Sequence, residues 1–94
     1  MIKIRTLEYI NCDELAQHFG VQPYSFSFMY DCDCGEHFIY LNCNDSYLQD
    51  LIYDLEDFSD EVEYCNRVKN TVEAIKYLRG ELNITDGINV YVSW

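Results

Sequence analysis

The pattern of hydrophobic and polar residues predicts four β-strands. Apolar side chains fall close to every second position in each of them, as expected for a strand with one buried face. The clearest strand runs from Tyr24 to Tyr30, where aromatic residues alternate with smaller or polar ones. A turn containing Gly35 follows, so we expect this strand to form a β-hairpin with the next one. The four predicted strands span residues 1–10, 24–30, 37–42 and 88–94.

Three further segments carry an apolar residue at every third or fourth position, which predicts helices over residues 13–19, 44–58 and 60–79. Gly80 follows the third of these, and glycine is the usual residue just past a helix end. We therefore expect the third helix to stop at Arg79. Its predicted buried stripe consists of Val62, Cys65, Val68, Val72, Ile75 and Leu78.

The resulting order, β-α-β-β-α-α-β, predicts an α+β fold. We expect a small, largely antiparallel sheet with the helices packed on one face. The 94 residues provide enough chain for a single domain, 1–94, and too little for a second core.

Charge narrows the range of partners. Seventeen Asp and Glu face six Lys and Arg, giving a formal net charge of -11. Residues 6–66 contain 14 Asp and Glu and not a single Lys or Arg. Phosphates would be repelled, so we expect neither nucleic acid nor an anionic membrane as a direct partner. The sequence favours a basic partner protein, although a merely solubilising surface would also be acidic.

The sequence shows neither the pattern of a membrane span nor that of a secretion signal. No apolar run approaches the 18 residues that a membrane span needs, and residues 1–10 carry charge instead of an apolar signal-peptide core. We therefore expect a cytoplasmic protein.

The second predicted helix carries an acidic face. Asp50, Asp54, Asp57 and Glu61 follow one another at i, i+4, i+7 and i+11 if helical geometry persists past Ser59. Residues four apart on a helix lie about 6 Å apart, which is similar to the phosphate spacing along a nucleic-acid strand. A solvated helix face would give the same pattern, but no Lys or Arg on this helix compensates the charge. The predicted partner-binding residues are Asp45, Tyr47, Asp50, Tyr53, Asp54, Asp57, Asp60 and Glu61, with Asp31, Asp33 and Glu36 at the hairpin tip.

Four residues, Cys32, Cys34, His37 and Cys43, have the spacing C-x-C-x2-H-x5-C and could supply zinc ligands. The pattern is weak, because structural zinc sites usually contain C-x2-C pairs. A strand over 37–42 would also separate His37 from Cys43 by about 20 Å. We therefore predict reduced thiols, no metal and no cofactor, and keep a small metal-binding domain as an alternative.

Catalytic groups are scarce. The sequence has only two histidines, His18 and His37, and it contains no glycine-rich phosphate loop and no recognised hydrolase motif. We predict that the protein is not an enzyme.

In size, charge and acidic helix face, the chain resembles small phage proteins of the anti-CRISPR and anti-restriction type. That resemblance implies an inhibitor that imitates nucleic acid and blocks the binding groove of a CRISPR nuclease or other defence nuclease in the infected bacterial cell. An immunity protein or antitoxin that neutralises a basic toxin nuclease is the alternative. The residues that carry the resemblance are Asp45, Asp50, Asp54, Glu56, Asp57, Asp60, Glu61 and Glu63, with Tyr47 and Tyr53 among them.

Overall fold

The computed structural model describes residues 9–30 and 37–92, and these residues form an α+β fold. Helices cover one face of a three-stranded sheet whose strand order is β1-β3-β2. The predicted fold class is therefore confirmed. The elements in chain order are β1 (Tyr9–Asn11), α1 (Cys12–Phe19), β2 (Phe38–Asn42), α2 (Asp45–Asp57), α3 (Val62–Glu81) and β3 (Gly87–Tyr91).

The sheet is mixed. β2 pairs antiparallel with β3, with Phe38 opposite Tyr91, and this pair is antiparallel as predicted. β1 pairs parallel with β3, with Tyr9 opposite Asn89. The last strand in the chain is therefore the central strand of the sheet.

Each strand buries every second side chain, so that one face of the sheet joins the helices in a single core. Ile10, Leu41 and Val90 are among the strand residues that lie in this core. From the helices, the core receives residues such as Leu15 and Ile75, both fully buried. The opposite face of the sheet carries the alternate residues of the same strands.

The strand predicted over 24–30 is wrong. Residues Pro23–Ser25 and Ser27–Tyr30 form two short 3₁₀ turns instead. Burial does not alternate here, because Phe28 and Met29 are neighbours in sequence and both are buried, whereas Tyr24 is exposed. The predicted hairpin is therefore also wrong. Its turn, 31–36, and the outer parts of the first and last predicted strands, 1–8 and 93–94, lie outside the described residues.

The backbone hydrogen bonds of this segment lie partly within its own turns and partly to side chains of α3. The Ser27 N–H donates to Thr71 Oγ1 at 2.9 Å, and the Asn70 side chain donates to the Ser25 carbonyl at 2.9 Å. Pro23 at the first position favours the tight turn, because its ring fixes φ. These contacts replace the ladder that the alternating sequence predicts.

The third helix differs from the prediction at both ends. α3 passes through Gly80 and ends at Glu81, and the left-handed residue that follows is Asn83, with φ 56°. The Ile84 N–H then donates to the Leu78 carbonyl at 2.9 Å, which satisfies an acceptor of the last turn. At the other end, Val62 is exposed, so it does not belong to the buried stripe.

Candidate protein-binding surface

Helix α2 is positioned by its cap and by its apolar side. The Asn44 side chain accepts a hydrogen bond from the Tyr47 N–H at 2.8 Å, which satisfies one of the free donors of the first turn. Leu48 and Leu51 are buried, and α2 packs along α3. The polar side of the helix consequently faces away from the core.

Asp50 and Asp57 lie on this outer side, whereas Asp45 lies about 140° around the helix from Asp50. Asp45, Asp50 and Asp57 are exposed, and Tyr53 between them is 59% exposed. Asp45 lies in the first turn, where a negative charge interacts favourably with the helix dipole. Carboxylates and an aromatic ring are therefore presented together on one thirteen-residue helix.

Asp54 is an exception to the expected exposure, since it is half-buried. The Tyr64 hydroxyl on α3 donates a hydrogen bond to Asp54 Oδ2 at 3.2 Å. The Tyr64 ring in turn packs edge-on against Phe58, with 5.5 Å between ring centroids. Asp54 thus joins the two helices as well as contributing negative charge.

The acidic line along the helix ends at Asp57. The predicted position of Glu61 on the same helical face is wrong, because the chain turns after Phe58 and Glu61 is the residue before α3. The Phe58 carbonyl accepts from the Glu61 N–H at 2.9 Å and from the Cys65 thiol at 3.0 Å, which stabilises the turn. Asp60 and Glu61 are exposed at this turn, beside the end of the acidic helix.

A groove of about 300 Å³ runs between α2 and α3. Its walls combine two acidic side chains, two tyrosines and one basic residue, Arg67. Arg67 is not among the residues predicted from sequence, because the base-free stretch ends one residue before it and nothing local indicates that it faces α2. The spacing of Tyr64, Arg67 and Thr71 on one side of α3 is the only signal that could have placed it there. The groove is lined by Ser27, Tyr47, Asp50, Leu51, Asp54, Tyr64 and Arg67.

Beneath the groove, a buried hydroxyl ties the 3₁₀ segment to α3. Thr71 Oγ1 accepts hydrogen bonds from both the N–H and the hydroxyl of Ser27, each at 2.9 Å, and donates to the Arg67 carbonyl at 3.0 Å. Thr71 is fully buried, so these partners are required to offset its desolvation. The base of the groove is therefore fixed.

The residues of the alternative metal site are not brought together where the structure describes them. Cys32 and Cys34 lie outside the described residues, as do the predicted hairpin-tip acids Asp31, Asp33 and Glu36. His37 and Cys43 flank opposite ends of β2. Within residues 9–30 and 37–92, no group of three or more His, Cys, Asp or Glu side chains could hold a metal ion.

Cys43 and His37, at opposite ends of β2, have different surroundings. Cys43 is fully buried, and burial raises the pKa of its thiol to about 11 although the charge of Arg79 acts in the opposite direction. Its Sγ donates to the Leu41 carbonyl at 3.6 Å. His37 is exposed and stacks on Tyr91, with 6.0 Å between ring centroids. Cys43 is therefore protonated at neutral pH and belongs to the core.

None of the helices in the described part of the chain is both long and apolar enough to cross a membrane. Comparison with known proteins gives no match to a protein family, to a curated protein or to a solved structure.

Proposed function

We propose that the protein is an inhibitor that binds a basic nucleic-acid-binding protein in place of nucleic acid. A CRISPR nuclease or another bacterial defence nuclease is the class of target, and the site of action is the host bacterial cytoplasm. The observation that carries the proposal is helix α2, which has no Lys or Arg and on which Asp45, Asp50 and Asp57 are exposed.

Electrostatics explains how such a face would compete. A groove built for phosphates is lined by Lys and Arg, and its field attracts any negative surface of matching shape. Carboxylates one helical turn apart lie about 6 Å from each other, close to the distance between neighbouring phosphates. Carboxylates bound in the groove would pair with the same Lys and Arg side chains that otherwise bind phosphates.

The surface also contains groups that a simple charged face would lack. Tyr53 is 59% exposed beside the acids, and tyrosine supplies a large contact area at a small entropic cost. Arg67 places a positive charge in the groove that Asp50 also lines. This combination supports a contact that recognises one orientation of the partner.

The proposal is tested by inhibition and displacement measurements on defined nucleases. A panel of guide-loaded CRISPR nucleases and restriction enzymes, each with its fluorescently labelled duplex substrate, is titrated with the protein. We expect cleavage to be blocked and DNA to be displaced in at least one of these enzymes. The inhibitory concentration should rise with ionic strength, because exposed charges are screened within about 8 Å at physiological salt.

Variants then locate the surface. The triple variant Asp50→Asn/Asp54→Asn/Asp57→Asn should inhibit at least tenfold less well, because charge-assisted contacts at the centre of an interface cost about 2–5 kcal/mol on truncation. The matched control is Glu73→Gln/Glu81→Gln, which removes exposed acids of α3. A triple variant that retains its structure and inhibits as well as the parent would contradict the proposal.

A further inference from the structure

Within residues 9–30 and 37–92, the backbone groups along the outer edge of β2 have no hydrogen-bond partner. The Cys43 N–H donates to the Asp86 carbonyl at 3.0 Å, and the Val92 N–H donates to the His37 carbonyl at 2.7 Å. Hydrogen-bonded and non-hydrogen-bonded pairs alternate along an antiparallel ladder. The odd-numbered residues of β2 therefore face β3, and the N–H and C=O groups of Phe38, Tyr40 and Asn42 point away from it.

Nothing in the described residues pairs with these outward groups. The strand order β1-β3-β2 places β2 at the edge of the sheet, and the described part of the chain adds no further strand beside it. The strand also lacks the usual protection of an edge, because its sequence FIYLN contains no charge and no proline.

Beside this edge, the helix-free face of the sheet carries an aromatic cluster, formed by Tyr9, Phe38 and Tyr91. The Phe38 ring lies 5.7 Å from the Tyr9 ring and 5.4 Å from the Tyr91 ring, measured between centroids. Phe38 remains 51% exposed and Tyr40 61% exposed. A strand added to β2 would therefore gain backbone hydrogen bonds and aromatic contacts at the same time.

We propose that the β2 edge binds an extended, lysine- or arginine-containing segment of a partner protein, which pairs with Phe38, Tyr40 and Asn42 as a fourth strand. Charge complementarity selects this occupant. The net charge of -11 attracts a basic segment and repels a second copy of the chain, which carries the same charge. Alternate side chains of the segment would lie over Phe38 and Tyr40, where a cation is attracted to the ring face.

This inference rests on the sheet edge and does not depend on the proposed function of α2. The probe is a capped seven-residue peptide of alternating lysine and valine, added to isotope-labelled protein and followed by amide hydrogen exchange in NMR spectra. We expect the Phe38, Tyr40 and Asn42 amides to exchange rapidly in the free protein and at least tenfold more slowly with saturating peptide. The Ile39 and Leu41 amides should already be protected, because they face β3.

Two controls separate strand addition from general attraction to an acidic protein. The same peptide with every amide N-methylated keeps its charge, but its methyl groups keep its backbone from approaching the strand edge and remove its hydrogen-bond donors, so it should give no protection. The variant Tyr40→Lys should weaken peptide binding at least fivefold through repulsion, while Asn89→Lys, exposed on the central strand, should weaken it less.

The inference would be overturned if saturating peptide gave no protection or if the N-methylated peptide bound equally well. It would also be overturned if the three amides were protected in a dimer of the protein alone. Equal loss of binding in the Tyr40→Lys and Asn89→Lys variants would count against it in the same way. The Asp50→Asn/Asp54→Asn/Asp57→Asn variant should still show the peptide-induced protection. Loss of nuclease inhibition in that variant, with protection retained, distinguishes the two surfaces.

Discussion

Among the single residues, Asp54 has two roles. It contributes negative charge to the surface of α2, and it accepts a hydrogen bond from the Tyr64 hydroxyl. We expect Asp54→Ala to lower the free energy of unfolding by about 1 kcal/mol, the usual net value of such a bond. Asp54→Asn should lose less, because its amide oxygen can still accept. Urea denaturation measures both variants.

Asp57→Ala is the matched control for this prediction, since Asp57 is exposed on the same helix. Removing it relieves repulsion between like charges and should leave stability unchanged or slightly higher. Equal losses for Asp54→Ala and Asp57→Ala would show that the contact with Tyr64 contributes nothing to stability.

Because the Cys43 thiol is buried, we expect the free energy of unfolding to fall at alkaline pH. Burial raises the pKa of its thiol from 9.0 to about 11, so the folded protein holds this proton over a range in which the unfolded chain releases it. The stabilisation is complete below about pH 9 and is lost as the pH rises through 11. We expect the free energy of unfolding to fall across this interval.

Tyrosine and lysine side chains titrate in the same range, so the measurement is a comparison with Cys43→Ala. Urea titrations at pH 8, 9, 10 and 11 give the pH dependence of each protein. The fall should be smaller in the variant. Identical curves would contradict the prediction.

At the level of the elements, the helices could be predicted from sequence and the 24–30 segment could not. Leu48 and Leu51 follow helical spacing and are buried as expected. Alternating aromatic residues from Tyr24 onward mimic a strand, but the partners of this segment are side chains of α3, more than forty residues away. A local pattern carries no information about such distant hydrogen-bond partners.

The same limit applies to the candidate surface. The acidic side of α2 followed from periodicity, because Asp50 and Asp57 lie opposite the buried leucines. The partner of Asp54 and the placement of Arg67 in the groove depend on how two helices pack, which spacing within one helix does not specify.

Thr71 provides a test of the contact between α3 and the 3₁₀ segment. Thr71→Val keeps the shape of the side chain but removes the acceptor of two hydrogen bonds from Ser27. Because part-buried donors are left unsatisfied, we expect a loss of about 1–3 kcal/mol in the free energy of unfolding. Chemical denaturation of Thr71→Val beside Thr85→Val, an exposed threonine, measures it. Similar stability of the two variants would contradict this account.

At the level of the whole molecule, negative charge dominates. Exposed acidic residues lie on α2 and on the turn after it, and also on α3 at Glu63, Glu73 and Glu81. A net charge of -11 weakens the compact state through self-repulsion. Salt should therefore act in opposite directions on folding and on binding.

We expect the melting temperature to rise as sodium chloride increases from 10 to about 300 mM, since the Debye length falls from about 30 Å at 0.01 M to about 8 Å at 0.15 M. Binding to a basic nuclease should weaken over the same range. Thermal unfolding monitored by circular dichroism measures the first effect, and the gain should be smaller in Asp50→Asn/Asp54→Asn/Asp57→Asn. A melting temperature that falls with salt would contradict the assignment of self-repulsion.

The central position of β3 has a consequence for the order in which the protein can form. β1 and β2 each pair with β3, whereas the described residues contain no pairing between β1 and β2. While the chain emerges from the ribosome, its helices can form locally, but β1 and β2 cannot pair with β3 until residues 87–91 have been made. Contacts between residues about eighty positions apart, such as Tyr9 and Asn89, close the sheet. Such high contact order slows folding, so Phe38 and Tyr40 on β2 remain without the neighbouring strand β3 until late in synthesis.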